Sequence, residues 1–165
     1  MLLTSLILLP LLGAIMILVM TRDDSPRSAD EARYIALFTT VITFFVSILA
    51  WLGFDNSKAD FQFVEKQDWF VGLNISYSLG IDGISLFMLL LTTFLMPICI
   101  LCSWESIVTR VRGFMVSFLL LETFVIGVFS SLDVIMFYLF FEGMLIPMYL
   151  IIGVWGGHSP YLCRL

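Results

Sequence analysis

Five times between Leu2 and Val154 the sequence runs apolar for about the length needed to cross a lipid bilayer: 2–20, 34–54, 84–104, 113–130 and 133–154. A helix rises 1.5 Å per residue, so about 20 residues traverse the ~30 Å hydrocarbon core. Inside that core no water satisfies a backbone N–H or C=O, so a single segment that crosses it must close its own hydrogen bonds as a helix. The composition agrees. Apolar residues make up 61% and charged residues 13%, where a soluble domain carries roughly 45–50% and about 25%. The fold class read from this is an all-α membrane protein, a polytopic transmembrane helix bundle of about five spans. The lipid bilayer is its first partner. No basic run points to nucleic acid, and the formal charge of −5 says little about other partners.

The connections refine this. The apolar start, Leu2 to Met20, lacks the basic flank and small-residue cleavage site of a signal peptide, so it is read as a retained span. Pro10 lies inside it. Thr21 to Arg33 reads as a polar loop, Glu105 to Arg112 as a shorter one, and Ser130 to Asp133 as a tight turn. Asp55 to Leu79 is the one long polar connection. Asn74 to Leu79 alternates polar and apolar, and Phe61-Gln62-Phe63 does so briefly, which predicts an extended or hairpin-like element on the membrane face. Asp82 is placed to cap the third span, Pro97 interrupts it, and Trp104 marks its interface. One side of the membrane collects Arg22, Arg27, Arg33, Arg110, Arg112 and Arg164, the other only Lys58 and Lys66. The positive-inside rule then predicts the N-terminus outside. Cys99 and Cys102 have C-x-x-C spacing but sit in an apolar helix, Cys163 is distant, and the sole histidine is His158. That set offers no metal or redox centre, and no glycine-rich fingerprint or cysteine cluster for nicotinamide, flavin or iron–sulfur binding occurs.

Two acids lie within the spans. Glu142 is near the middle of the fifth, followed at once by Gly143 and five residues on by Pro147. A carboxylate at that depth costs at least ~2.5 kcal/mol, which makes it a functional-site candidate. Pro147 has no N–H, so the Gly143 carbonyl loses its helical partner and a bend is expected beside the acid. Glu122 lies in the fourth span. Both acids are about ten residues from Leu132 at the turn, hence roughly 15 Å deep. Whether they face each other depends on helix rotation, which the sequence leaves open. The stripe Tyr138, Glu142, Leu145 or Ile146, Tyr149 suggests a packed or wet face, whereas Glu122 is flanked by Phe118, Leu119, Val125 and Ile126. The five runs hold no basic residue. A proton relay and a polar clip between helices are both compatible with these acids.

The run from Leu120 to Gly157, and within it Phe140-Phe141-Glu142-Gly143-Met144-Leu145-Ile146-Pro147-Met148-Tyr149, closely resembles subunit M (chain 4) of proton-pumping NADH–quinone oxidoreductase, respiratory complex I. Leu79 to Ser85 and Asp60 to Val64 match it too. The resemblance covers residues 1–157 and implies the N-terminal part of an antiporter-like transmembrane domain. It further implies a membrane-arm subunit contributing to proton translocation, coupled to electron transfer from NADH to quinone. NAD, FMN, iron–sulfur clusters and quinone are then expected in other subunits, with no cofactor or metal held by this chain. Other membrane-arm subunits are the expected partners. The bacterial inner membrane is the expected location, or the mitochondrial inner membrane if the chain is organellar. Glu142 matches the family's fifth-helix glutamate, taken to modulate a lysine on a later helix, and Glu122 matches its fourth-helix acid. Residues 158–165 do not resemble the family's continuation, and a frameshift or premature stop is the simplest account of that divergent tail. Related readings are a subunit of a cation/proton antiporter or of a membrane-bound hydrogenase. A reading of another class is an inactive membrane fragment whose carboxyls only hold helices together.

Overall fold

The structure is a computed structural model and describes residues 1–21, 26–55, 57, 60–70 and 75–156; the tail 158–165 lies outside them. Five helices carry the chain: α1 (Leu2–Met20), α2 (Pro26–Leu52), α3 (Gly83–Ser103), α4 (Val111–Ser130) and α5 (Val134–Trp155). All five are long and apolar enough to span a membrane, and the chain is a multi-pass membrane protein. Between α2 and α3 an antiparallel hairpin is formed by β1 (Gln62–Phe70) and β2 (Ile75–Ile81), where alternation predicted one.

Three helices keep close to their expected bounds, and local chemistry explains the ends. Asp82 accepts from Ser85 N at 2.7 Å and starts α3. Its carboxyl is held below the usual aspartate range by that backbone N–H. Asp133 accepts from Ile135 N at 2.9 Å and starts α5. Two helices begin earlier than the apolar runs. α4 opens at Val111 rather than at Gly113, and α2 opens at Pro26 rather than at Tyr34. The first turns of α2 are polar, but Pro suits a helix start. Arg27–Glu31 at 3.4 Å and Arg33–Asp30 at 2.7 Å are pairs across one turn. Pro10, Pro97 and Pro147 each lie within a helix that continues past them.

The hairpin caps one end of the bundle. Glu65 of β1 reaches the start of α1, accepting from Leu3 N at 3.2 Å, Thr4 N at 3.3 Å and the Thr4 hydroxyl, and pairing with the Met1 amino group. Those N–H groups have no partner within their own helix. Burial raises the Glu65 pKa, but the amino group and Thr4 outweigh it and hold the carboxyl below the usual glutamate range. β2 is tied to the α4–α5 turn, through a bridge between Leu79 and Ser131 and a hydrogen bond from Leu132 N to Ser78 O at 3.0 Å. Gly80 lies close to that turn: a Cβ there would lie 2.7 Å from Leu132 Cδ1, so the leucine side chain would have to shift.

At the other end, arginines take the place of the hairpin. Arg112 donates to Leu18 O in the last turn of α1 at 2.8 Å, a cation at a helix C-terminus. Arg33 donates to Ile107 O at 2.9 Å and lies over the Trp104 ring at 5.8 Å.

α4 is the central helix and packs on all four others; α5 packs on α4 and, lightly, on β2. The buried apolar core falls into two clusters. One, under the hairpin, includes Leu3, Leu6, Ile7, Ala50, Leu86, Leu89 and Ile126. The second, toward the arginine end, includes Ala14, Ile17, Ala32, Ala36, Ile100, Met115 and Leu119.

Candidate functional site

The rotation of α4 against α5 decides where the two span carboxyls point, and it is fixed by glycine and phenylalanine. A Cβ on Gly127 would fall 2.5–2.7 Å from three ring atoms of Phe140, and one on Gly143 would fall 2.5 Å from Phe124 Cε1. Each helix carries Phe-x-x-Gly, at 124–127 and 140–143, equidistant from the turn. The antiparallel pair therefore seats each ring over the other helix's glycine. Small residues that let helices approach closely are the usual means of packing where lipid offers no hydrophobic drive.

With 3.6 residues per turn, Glu142 lies far around α5 from the stripe that meets α4, which runs through Met136, Phe140, Gly143 and Pro147. Glu142 is exposed, and so are its neighbours on that face, Tyr138, Leu145, Ile146 and Tyr149. The Tyr138 hydroxyl, one turn earlier, faces the Glu142 carboxyl. Together with Leu139 and Gly143 these residues line an open groove of about 580 Å³. The packed or wet interior face expected around Glu142 is thus an outward face of this bundle.

Glu122 has the opposite setting. It shares the core stripe of α4 with Leu119 and Ile126 and is 0% exposed. Neither carboxyl oxygen reaches a hydrogen-bonding partner among the described residues. The two acids lie at similar depth on neighbouring helices, yet they turn away from the shared contact. Glu142 points outward, and Glu122 is turned into the buried interior of the bundle. Gly143 packs against Phe124 of α4 and also lines the groove beside Glu142, and Pro147 is buried. Among the described residues no three His, Cys, Asp or Glu gather as a metal site would require, and Cys99 and Cys102 are free thiols.

Sequence reasoning overlooked two features. One is Glu65, whose reach to α1 across more than sixty positions leaves no local signature. The other is a set of buried hydroxyls on α2 and α3: Thr39, Thr43, Ser47 and Thr93. The i, i+4 spacing of Thr39, Thr43 and Ser47 is visible in the sequence as one face of a helix.

Comparison with known proteins bears on the whole chain. It is 50% identical over 149 residues, 90% of its length, to the NADH-quinone oxidoreductase subunit M of Rhodobacter capsulatus. It is 50% identical over 158 residues, 95% of its length, to the NADH-ubiquinone oxidoreductase chain 4 of Marchantia polymorpha. The chain belongs with the subunit M and chain 4 family. Subunit M of Rickettsia bellii is a further relative, 41% identical over 93% of this chain. The matches cover only 28%, 31% and 31% of those relatives, so the chain spans about 30% of the length of the curated relatives it matches. No family model matches the chain.

Proposed function

We propose that the chain is the N-terminal, antiporter-like part of a membrane-arm subunit of NADH:quinone oxidoreductase, and that Glu142 takes part in proton translocation there. The observation that carries this reading is the outward placement of Glu142 on a helix that must lie in the bilayer. A carboxylate left facing lipid costs at least ~2.5 kcal/mol, so the groove from Tyr138 to Tyr149 needs a protein partner. Relatives about three times as long supply the further helices, and the other membrane-arm subunits supply more. A basic side chain arriving from that direction meets a carboxylate in low dielectric, where an opposite charge within ~4–6 Å moves a pKa by 1–3 units. That is the coupling a charge-driven switch requires. The redox groups belong to other subunits. The bilayer is the bacterial inner membrane, or the mitochondrial one in an organelle, with the hairpin and N-terminus outside.

The test is Glu142→Gln in the full-length subunit within the assembled complex. Glutamine keeps hydrogen bonding and loses charge. The expected result is normal assembly with loss of proton pumping and of the quinone reduction coupled to it. Normal pumping by the assembled variant refutes the switch and leaves Glu142 a polar clip between helices.

A further inference from the structure

At the arginine end of the bundle two apolar runs are bounded by aromatic rings. Tyr34 opens the second run and Trp104 closes the third, and the two rings meet edge to face at 5.2 Å. Such rings settle at the boundary between hydrocarbon and headgroups. Arg33 lies over the Trp104 ring at 5.8 Å and is tied to Asp30 and to Ile107 O, so the pair is held in place.

Two open grooves leave Tyr34, one on either side of α2. Toward α1, about 540 Å³ is bounded by Leu9, Leu12 and Gly13 and by Phe38, Thr39 and Ile42 of α2. The Thr39 hydroxyl donates to Ile35 O at 2.7 Å, so the walls below Tyr34 offer mainly apolar contact. Toward α3, about 530 Å³ is bounded by Leu37, Leu101 and Cys102 and, past the helix end, by Trp104, Glu105 and Ser106. The exposed stripe of α2 that carries Tyr34 runs Arg27, Glu31, Tyr34, Phe38, Phe45 and Leu49. Charge gives way to phenol and then to hydrocarbon, the gradient met on passing from water into one leaflet. From Tyr34 to Ile42 the first groove covers about 12 Å of the ~15 Å depth of that leaflet. Two apolar grooves meeting at one aromatic boundary match a lipid with two chains and one headgroup.

The headgroup level adds chemistry. Glu105, Ser106 and the Tyr34 hydroxyl are exposed and make no side-chain hydrogen bond among the described residues. The Glu105 carboxylate repels an anionic headgroup and attracts an ammonium. A primary ammonium donates N–H to a carboxylate and a hydroxyl. A quaternary one has no N–H and relies on aromatic faces, and Arg33 already occupies one face of Trp104.

We propose that this face binds one phospholipid with a primary-ammonium headgroup. The ammonium rests on Glu105 and Ser106, the phosphate accepts from the Tyr34 hydroxyl, and the two chains lie in the grooves on either side of α2. The site is built from α1, α2 and α3 and uses none of the Glu142 face of α5, so it does not rest on the proposed function.

Photo-crosslinking tests it. Phosphatidylethanolamine with a diazirine on one acyl chain is added as a minor component to phosphatidylcholine vesicles holding the chain, and the labelled peptides are mapped. Label is expected at Leu9, Leu12, Phe38 and Ile42 in excess of Ile146 and Ile152, which are comparably exposed on α5. Unlabelled phosphatidylethanolamine should compete about two- to fivefold better than phosphatidylglycerol with the same chains, the range an exposed ion pair provides. Glu105→Gln should erase that preference and Glu105→Asp should keep it. Labelling no stronger than on α5, competition independent of headgroup, or a preference unchanged in Glu105→Gln overturns the proposal. So does loss of the groove label once the chain is assembled with partner subunits, which makes a protein helix the occupant.

Discussion

Gly127→Ala is the sharpest test of how α5 is seated. The added Cβ would meet Phe140 Cδ1, Cγ and Cε1 at 2.5, 2.6 and 2.7 Å. Ordinary contact begins near 3.4 Å, so the ring must retreat by about 0.9 Å, the difference between 3.4 and 2.5. Because Cγ is among the atoms struck, rotation about the outer bonds does not clear the clash and the whole ring has to move. A gap of that size forfeits a quarter to a half of each displaced van der Waals contact, and overpacking of this kind costs about 1–3 kcal/mol. Alanine returns about 0.8–1 kcal/mol of helix propensity. The expected net loss is about 1–2 kcal/mol. Gly143→Ala meets Phe124 at Cε1, Cδ1 and Cζ, 2.5–3.0 Å away, which is the far edge of a ring that swings aside more easily. It should cost less than about 1 kcal/mol. Trp155 reports on docking, since it packs edge-on against Phe114 at 5.4 Å and donates to Thr109 O at 2.9 Å. Its fluorescence, with the other tryptophans replaced by phenylalanine, followed through an SDS titration in mixed micelles, gives the midpoint. Phe140→Leu should recover part of the Gly127→Ala loss. A Gly127→Ala midpoint equal to wild type, or a Gly143→Ala loss exceeding it, refutes the packing described.

Glu65→Gln should destabilise the bundle by about 1–2 kcal/mol, the range for losing a charge-assisted helix cap. Because the folded Glu65 pKa lies below its unfolded value near ~4.3, the clamp is fully present above that pH and is lost as pH falls through the folded pKa. Acid titration should therefore erase the difference between wild type and variant, and a pH-independent difference rules out the charge. Cysteine at Ser57 should react with an impermeant label from outside and cysteine at the highly exposed Arg27 only from inside; the reverse pattern inverts the topology. Purified chain in liposomes should leave an imposed pH gradient intact, because its spans hold no basic partner for Glu142, and a Glu142-dependent collapse contradicts that.

The spans were legible because a run of about twenty apolar residues has few other uses, and the hairpin was legible from alternation. The start of α2 was not, because Pro26 to Arg33 is polar and helix there depends on turn-to-turn charge pairs rather than on hydropathy. Glu142 and Glu122 were found by depth alone. Their directions were not, since helical phase is settled by which residues notch together. The two Phe-x-x-Gly pairs were in view, but they acquire meaning only once the helices are taken as antiparallel and in contact. Glu65 was out of reach because its partners are brought near by the bundle, not by the chain.

The central position of α4 has a consequence for biosynthesis. α1 packs most extensively on α4, which leaves the ribosome roughly a hundred residues later. Until then α1, α2 and α3 sit in the bilayer with Glu122's neighbours uncovered and the core stripe of α1 turned toward lipid or the insertion machinery. The Glu65 clamp is synthesised in that interval and holds the start of α1 to the hairpin while the chain waits. A nascent chain arrested before residue 111 thus exposes α1 to membrane quality control, whereas one extended through Ser130 presents a closed four-helix unit on which α5 is then laid.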